Sequence, residues 1–336
     1  MTRLFIFAFV AFASLAQAGL QPMDLRCDYA VNPVNVDSTT PRLFWQLSGT
    51  SQRQSAYEIL AASSPALLAH DQGDLWSSGK VLSDATIQIS YIGQKLTSFQ
   101  TIYWKVRVWD EIGQVSRWSP PATWTMGVLS PSDWHAQWIT SGETNVQSSL
   151  FRHVFTPRAP IRSAFINICG LGQYDLSINH KQITTNYLSP GWTKYDHTCL
   201  YDTYDVTDQL GSGPNVIGVE LGNGMYNVPG AGRFTKFKGS FGPLKLIAQL
   251  RLEYGDGSVE FIGTDNQWQT APGSIVYNTI YGGEDEDARR RPMGWEDPGF
   301  NATHWATATE TISPGGELRG LSCAAPPIEF METHPG

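Results

Sequence analysis

Apolar side chains in this chain recur at every second position in short runs, and each run is closed by Gly, Pro, Asn or Asp. Trp104, Val106 and Val108 alternate with Lys105 and Arg107. Tyr174, Leu176 and Ile178 alternate with Asp175, Ser177 and Asn179, and Leu244, Leu246, Ala248, Leu250 and Leu252 with Lys245, Gln249 and Arg251. Successive side chains of a strand point to opposite faces, so each run reads as a strand with one face in a core and one in water. Long helical periodicity is nearly absent. Many short strands divided by turn signals predict an all-β chain built of antiparallel β-sandwiches.

The strand pattern breaks once, in the polar stretch 129–147 that carries Trp134 and Trp138, and resumes at Leu150. With 336 residues there is room for two domains. The reading is a module at 19–128, a larger one at 129–310, and a terminal stretch 311–336 whose Pro326-Pro327 and Pro335-Gly336 give it the character of a linker cut short. Residues 1–18 have the three parts of a secretory signal peptide: Arg3, an apolar run Leu4 to Phe12, and the small-x-small exit Ala16-Gln17-Ala18. The run is too short to span a membrane. The chain is therefore expected outside the cell, or in the periplasm of a bacterium. A net charge of −8 without a basic patch argues against nucleic acid as a partner, and no membrane partner is expected. Export permits disulfides among Cys27, Cys169, Cys199 and Cys323, with the pairing open.

A family resemblance emerges from motifs in fixed order. Pro41-Arg42-Leu43-Phe44-Trp45, Gln54 to Ile59, Leu75 to Val81 and Tyr103 to Asp110 together resemble the fibronectin-III-like first module of family 78 glycoside hydrolases, the α-L-rhamnosidases. Gly170 to Tyr174, Tyr201 to Thr207, Leu221 to Tyr226, Gly283 to Arg289 and Gly294-Trp295 to Trp305 resemble the galactose-binding-like N-terminal domain of the same family. The resemblance implies a fibronectin-III or Ig-like sandwich followed by a galactose-binding-like jelly roll. It also implies a role in removing terminal α-L-rhamnose with inversion, by two carboxylates set apart to admit a water. In the family those carboxylates sit on an (α/α)6 barrel beyond these modules, so no catalytic residue is assigned here. Two positions depart from the family pattern: Arg290-Arg291-Pro292-Met293 where a glutamate is common, and Met225 where Trp is common.

Candidate contacts follow from chemistry. The acidic run Glu284-Asp285-Glu286-Asp287 offers acceptors to sugar hydroxyls or oxygen ligands to Ca²⁺, or forms a solvated loop paired with Arg289, Arg290 and Arg291. Adjacent carboxylates in one loop seldom face each other across a sugar, which argues against hydrolysis there. Asn223 and Asn227 lie in a turn-rich loop and Asn179 at a hairpin-like tip; each is a turn former first. By the resemblance they are also the oxygen donors for a sugar or for Ca²⁺, although no cofactor is required. Trp192 and Tyr226, in loops, are the aromatics best placed to stack on a sugar, whereas most other tryptophans sit in strand patterns and read as core. The selected carbohydrate contacts are Asn179, Trp192, Asn223, Tyr226, Asn227, Glu284 and Asp285, with Ca²⁺ assigned to the three asparagines. The expected partners are a rhamnose-containing glycan or glycoside and the catalytic domain of a full-length enzyme. The expected role is a non-catalytic, carbohydrate-binding region; the alternatives are a structural spacer or docking region and an autonomous glycosidase.

Overall fold

The computed structural model describes residues 19–49, 53–143, 147–158, 160–228, 233–234, 238–320 and 328. The chain is all-β and forms two units that interleave along the sequence. The first takes the described residues up to Val31 together with Thr40–Gln94 and Ile102–Thr123; the second takes Asn32–Thr39, Lys95–Thr101 and the described residues from Trp124 onward. Three segments that a linear reading assigns to the first module, 32–39, 95–101 and 124–128, cluster instead with the second. The signal peptide read at 1–18 lies outside the described residues. Among the described residues no helix is long and apolar enough to cross a membrane.

In the first unit, strands Gln21–Cys27, Arg42–Ser48 and Ile89–Ser90 form one sheet. Strands Trp76–Ser77, Gln54–Ala62, Thr101–Asp110 and Ala122–Thr125, in that order, form another, its last strand carrying the chain across the boundary. Period two holds on the core side, where Ile102, Trp104, Val106 and Val108 are fully buried. It fails at Lys105, expected in solvent: this lysine is 7% exposed, and its Nζ donates to Leu68 O at 2.6 Å and pairs with Asp71 beyond the short helix Pro65–Ala69. A buried ammonium needs such partners because desolvation alone would be prohibitive.

The second unit is a sandwich. One sheet runs Thr309–Glu310, Ile139–Thr140, Lys245–Tyr254, Ile161–Leu171, Thr198–Asp205 and Glu317–Gly320, with Val259–Gly263 also pairing on the long strand Lys245–Tyr254. The other runs Lys181–Gln182, Gln173–Ile178, Asn215–Gly222, Ser148–Phe155, Gln269–Pro272 and Ala306–Thr307. Ile166, Ile168, Leu176, Val219, Leu221, Leu246, Leu250, Leu252 and Trp268 are all 0% exposed and fill the space between them. Two features escape the strand alternation. Lys245 and Gln249, on the outward face of the 245–254 strand, are buried because other segments cover that face: Lys245 Nζ donates to Ile312 O at 2.7 Å, and Gln249 Oε1 accepts from His135 N at 2.7 Å. Glu317–Gly320, expected within the terminal linker, instead adds a parallel strand to Thr198–Asp205, saturating an edge that would otherwise expose its hydrogen-bonding groups. On the outer face of the second sheet a small cluster of Leu150, Trp295, Ala302 and Trp305 is held close by Gly218, where a side chain would sit about 3.0 Å from the Trp295 ring. Cys169 and Cys199 are buried with free thiols, and Cys323 lies outside the described residues.

A candidate carbohydrate cleft

Strand 173–178 pairs antiparallel with strand 215–222 in the register Gln173↔Gly222, Asp175↔Glu220. Tyr174 and Leu176 on one strand and Val219 and Leu221 on the other point into the core, so alternation turns Asp175 and Glu220 outward, directly opposite each other. Like charges in that relation oppose folding. The pair lies on the outer face of the second sheet, and residues of the Ile275–Thr279/Gly283–Glu286 hairpin and of the loop 186–189 line the same cleft.

These elements enclose a cleft of about 350 Å³, within the range of small-molecule sites. Asp175, Glu220, Glu284 and Glu286 line it, Arg291 is its cation, and Tyr187 and Leu188, each about half exposed, form an apolar lip. Ser148 Oγ donates to Glu220 Oε1 at 3.0 Å, and Ser274 Oγ to Glu286 Oε1 at 2.8 Å. Arg291 Nη1 stands 3.8 Å from Glu286 Oε1. Burial pushes the Glu220 carboxyl up, the Ser148 hydrogen bond and the Arg291 charge draw it back, and the Asp175 and Glu284 charges raise it again. Protein packed around Asp175 raises that carboxyl too, although the side chain still reaches solvent. Beneath the cleft, Tyr174, whose residue lines it, donates from Oη to Asp202 Oδ2 at 2.5 Å and lies 3.3 Å from Tyr204 Oη. Asp202 is 3% exposed, and burial pushes its carboxyl up to about 6. The arrangement supplies several acceptors and one forked donor around an apolar edge, a set that fits a polyol with an apolar substituent.

Of the residues picked from the sequence, Glu284 lines this cleft. Asn223 and Asn227 do converge: Asn227 Nδ2 donates to Asn223 Oδ1 at 2.9 Å, while Asn223 Nδ2 reaches Asn278 O at 3.0 Å and Gln147 Oε1 at 3.1 Å. Asn223 is 1% exposed, and its contacts tie the floor of the cleft to the hairpin above it. Asn179 sits at the opposite end of the 173–178 strand, roughly 20 Å away at ~3.3 Å per residue, and its Oδ1 accepts from Val216 N at 2.9 Å. The three asparagines therefore do not form one Ca²⁺ site, and among the described residues no group of three His, Cys, Asp or Glu side chains is placed to hold a metal. Tyr226 is fully buried with its Oη donating to Phe241 O at 3.2 Å, so its ring is closed to a sugar. Trp192 is 63% exposed, outside the residues that line the cleft. Asp285 turns away to a forked pair with Arg233 at 2.8 and 3.0 Å, which holds its carboxyl below the usual range. Asp175, Tyr187, Glu220 and Arg291 were missed. The only sequence signal at Glu220 is a lone acid in the apolar run Val216 to Leu221.

Comparison with known proteins gives two family matches: "Alpha-L-rhamnosidase N-terminal domain" over residues 159–332 and "Rha78A-like, N-terminal immunoglobulin domain" over residues 22–130. The chain is similar to an α-L-rhamnosidase of Formosa agariphila, 34% identical over 87% of this chain and 33% of that protein. It is similar to one of Alteromonas sp. at 33% identity over 86% of this chain and 33% of that protein. It spans about a third of the length of these curated relatives. Among solved structures, an α-L-rhamnosidase from Dictyoglumus thermophilum superposes with a TM-score of 0.84 at 34% identity, covering 90% of this chain and 36% of that one. One from Aspergillus terreus superposes with a TM-score of 0.80 at 29% identity, covering 90% and 35%.

Proposed function

We propose, from the premise that this chain belongs to the α-L-rhamnosidase N-terminal domain family, that it is the non-catalytic, carbohydrate-binding part of a secreted enzyme removing terminal α-L-rhamnose from a glycan or glycoside. The observation that carries the reading is the Asp175–Glu220 pair set side by side on the floor of a polar cleft with Tyr187 and Leu188 at its lip. Rhamnose has a methyl group where most hexoses have a hydroxyl, and the lip offers that methyl an apolar surface while the carboxylates and Arg291 take the hydroxyls. Neighbours on one sheet face do not flank a sugar ring as an inverting pair must, so the cleft suits binding rather than hydrolysis. Ca²⁺ enters the proposal only through Asn223 and Asn227, whose amides converge behind the cleft. A second reading, docking onto the catalytic domain of a longer enzyme, draws on the exposed Tyr187, Leu188 and Trp192.

Calorimetric titration of L-rhamnose into the whole chain, with Ca²⁺ and with a chelator, tests the proposal. Saturable heat is expected without hydrolysis of an aryl rhamnoside, and Glu220→Ala should weaken binding about 10- to 100-fold, as loss of a charged hydrogen-bond acceptor does. Loss of heat on chelation would bring Ca²⁺ into the site. Absence of binding to any rhamnoside would sink the sugar reading and leave docking.

A further inference from the structure

The outer face of the seven-stranded sheet carries a second cavity, remote from the acidic cleft in the elements that build it. It lies between the segment 128–138 and the segment 313–319, has a volume of about 260 Å³, and is lined by Trp134, Trp138, Ile247, Asp37, Glu317 and Arg319 among others. All of these residues belong to the second unit. The walls are fixed. Trp138 is 7% exposed, packs in the main core, and its carbonyl accepts from Thr311 N at 2.7 Å. Trp134 stands edge-on to Tyr201 with ring centroids 5.2 Å apart, and Tyr201 is itself fully buried with its Oη accepting from Val128 N at 2.7 Å. The rim is polar. Arg319 Nη2 pairs with Glu317 Oε2 at 3.0 Å, both side chains about half exposed, and Asp37 Oδ2 accepts from Gly320 N at 3.1 Å.

We infer that this cavity is a second carbohydrate subsite, sized for one pyranose ring. It rests on the carbohydrate reading above and extends it to another place. A pyranose has a face of C–H groups and a rim of hydroxyls. Indole rings receive the first, and carboxylates with a guanidinium receive the second in pairs of directed hydrogen bonds. Among the described residues the acidic cleft has the rim without the indoles; this cavity has both. Because Trp134, the partly exposed indole, is already held edge-on by Tyr201, and Trp138 is fixed in the core, a sugar entering beside Trp134 immobilises little that was free, and preorganisation of that kind is where affinity comes from.

The test is a titration of the whole chain with L-rhamnose, read by intrinsic tryptophan fluorescence alongside calorimetry, on the wild type, Trp134→Ala, Arg319→Ala and Glu220→Ala. Arg319 lies at the rim, so its variant keeps the test valid where Trp134→Ala unfolds the protein. The expected result is two sites in the wild type, one of which perturbs tryptophan fluorescence. That site weakens at least tenfold in Trp134→Ala or Arg319→Ala and persists in Glu220→Ala. A single site that is lost in Glu220→Ala and untouched by the two cavity variants overturns this inference and leaves the cleft reading standing. No binding by the wild type overturns both.

Discussion

Asp202→Asn should make the protein more stable at pH 8, by up to about 3 kcal/mol, and should flatten its stability between pH 4 and 7. Asp202 lies on the 198–205 strand, 3% exposed, with the Tyr174 hydroxyl donating to it at 2.5 Å. Burial disfavours its charged form and pushes the carboxyl from 3.8 up to about 6, the Tyr174 hydrogen bond offsetting only part of that. A folded-state value above the unfolded one means the native state prefers the neutral acid. The associated stability is fully present below about pH 4 and is lost as pH rises through about 6. The interval of 6 − 3.8 = 2.2 at about 1.36 kcal/mol each sets the size. Asparagine cannot ionise and keeps an acceptor for Tyr174; its added N–H groups need acceptors, which brings the gain below the limit. Urea unfolding of both chains from pH 4 to 8 measures it. Glu220 and Asp175, raised in the same direction, tilt both curves alike, so the difference between the curves isolates Asp202. Two parallel curves would show that the carboxyl is not the group at work.

The physics that buries Asp202 also explains what the sequence could and could not disclose. The alternation around Leu246 to Leu252 and around Tyr174 to Ile178 is local, and it foretold an all-β fold because a strand's facing depends only on its own period. Lys105, Lys245 and Gln249 were expected in water and are buried, because alternation says which side chains leave the core and not whether another segment covers them. The opposition of Asp175 to Glu220 depends on a register between strands some forty positions apart, and no local pattern carries it. The same register separates Asn179 from Asn223, which residue chemistry alone had grouped around one cation. Glu284 was found because a run of acids is visible wherever it falls; Tyr187 and Arg291 reach the cleft only through loops. Tyr226, picked as a loop aromatic, is drawn inward by Tyr195 and Phe241, at ring distances of 5.1 and 5.9 Å.

Arg152→Ala should cost about 3–5 kcal/mol of stability, because it strands three neutral acceptors of one charged donor at about 1–3 kcal/mol each. Arg152, 2% exposed on the 148–155 strand, sends Nε to Trp295 O at 3.1 Å, Nη2 to Asp297 O at 2.9 Å and Nη1 to Gln269 Oε1 at 3.2 Å, with its guanidinium 5.5 Å from the Phe300 ring. Burial pulls its pKa below the usual value, a sign of how dry the site is. Removing the side chain strands two loop carbonyls and the Gln269 amide oxygen at once, and it opens a gap beside the Trp295–Trp305 stack, whose centroids are 6.1 Å apart. Lysine should not rescue it, because one ammonium cannot reach three acceptors that a planar fork meets together. The segment held in this way begins just after Arg291, the cation of the cleft. Arg152→Ala should therefore also loosen rhamnose binding in protein that is still folded. Urea midpoints with near-ultraviolet circular dichroism of the tryptophans report the first effect, and calorimetry below the unfolding transition reports the second. A loss under about 1 kcal/mol would mean that water takes over the carbonyls, and that the 291–305 segment is held by its tryptophans instead of by this arginine.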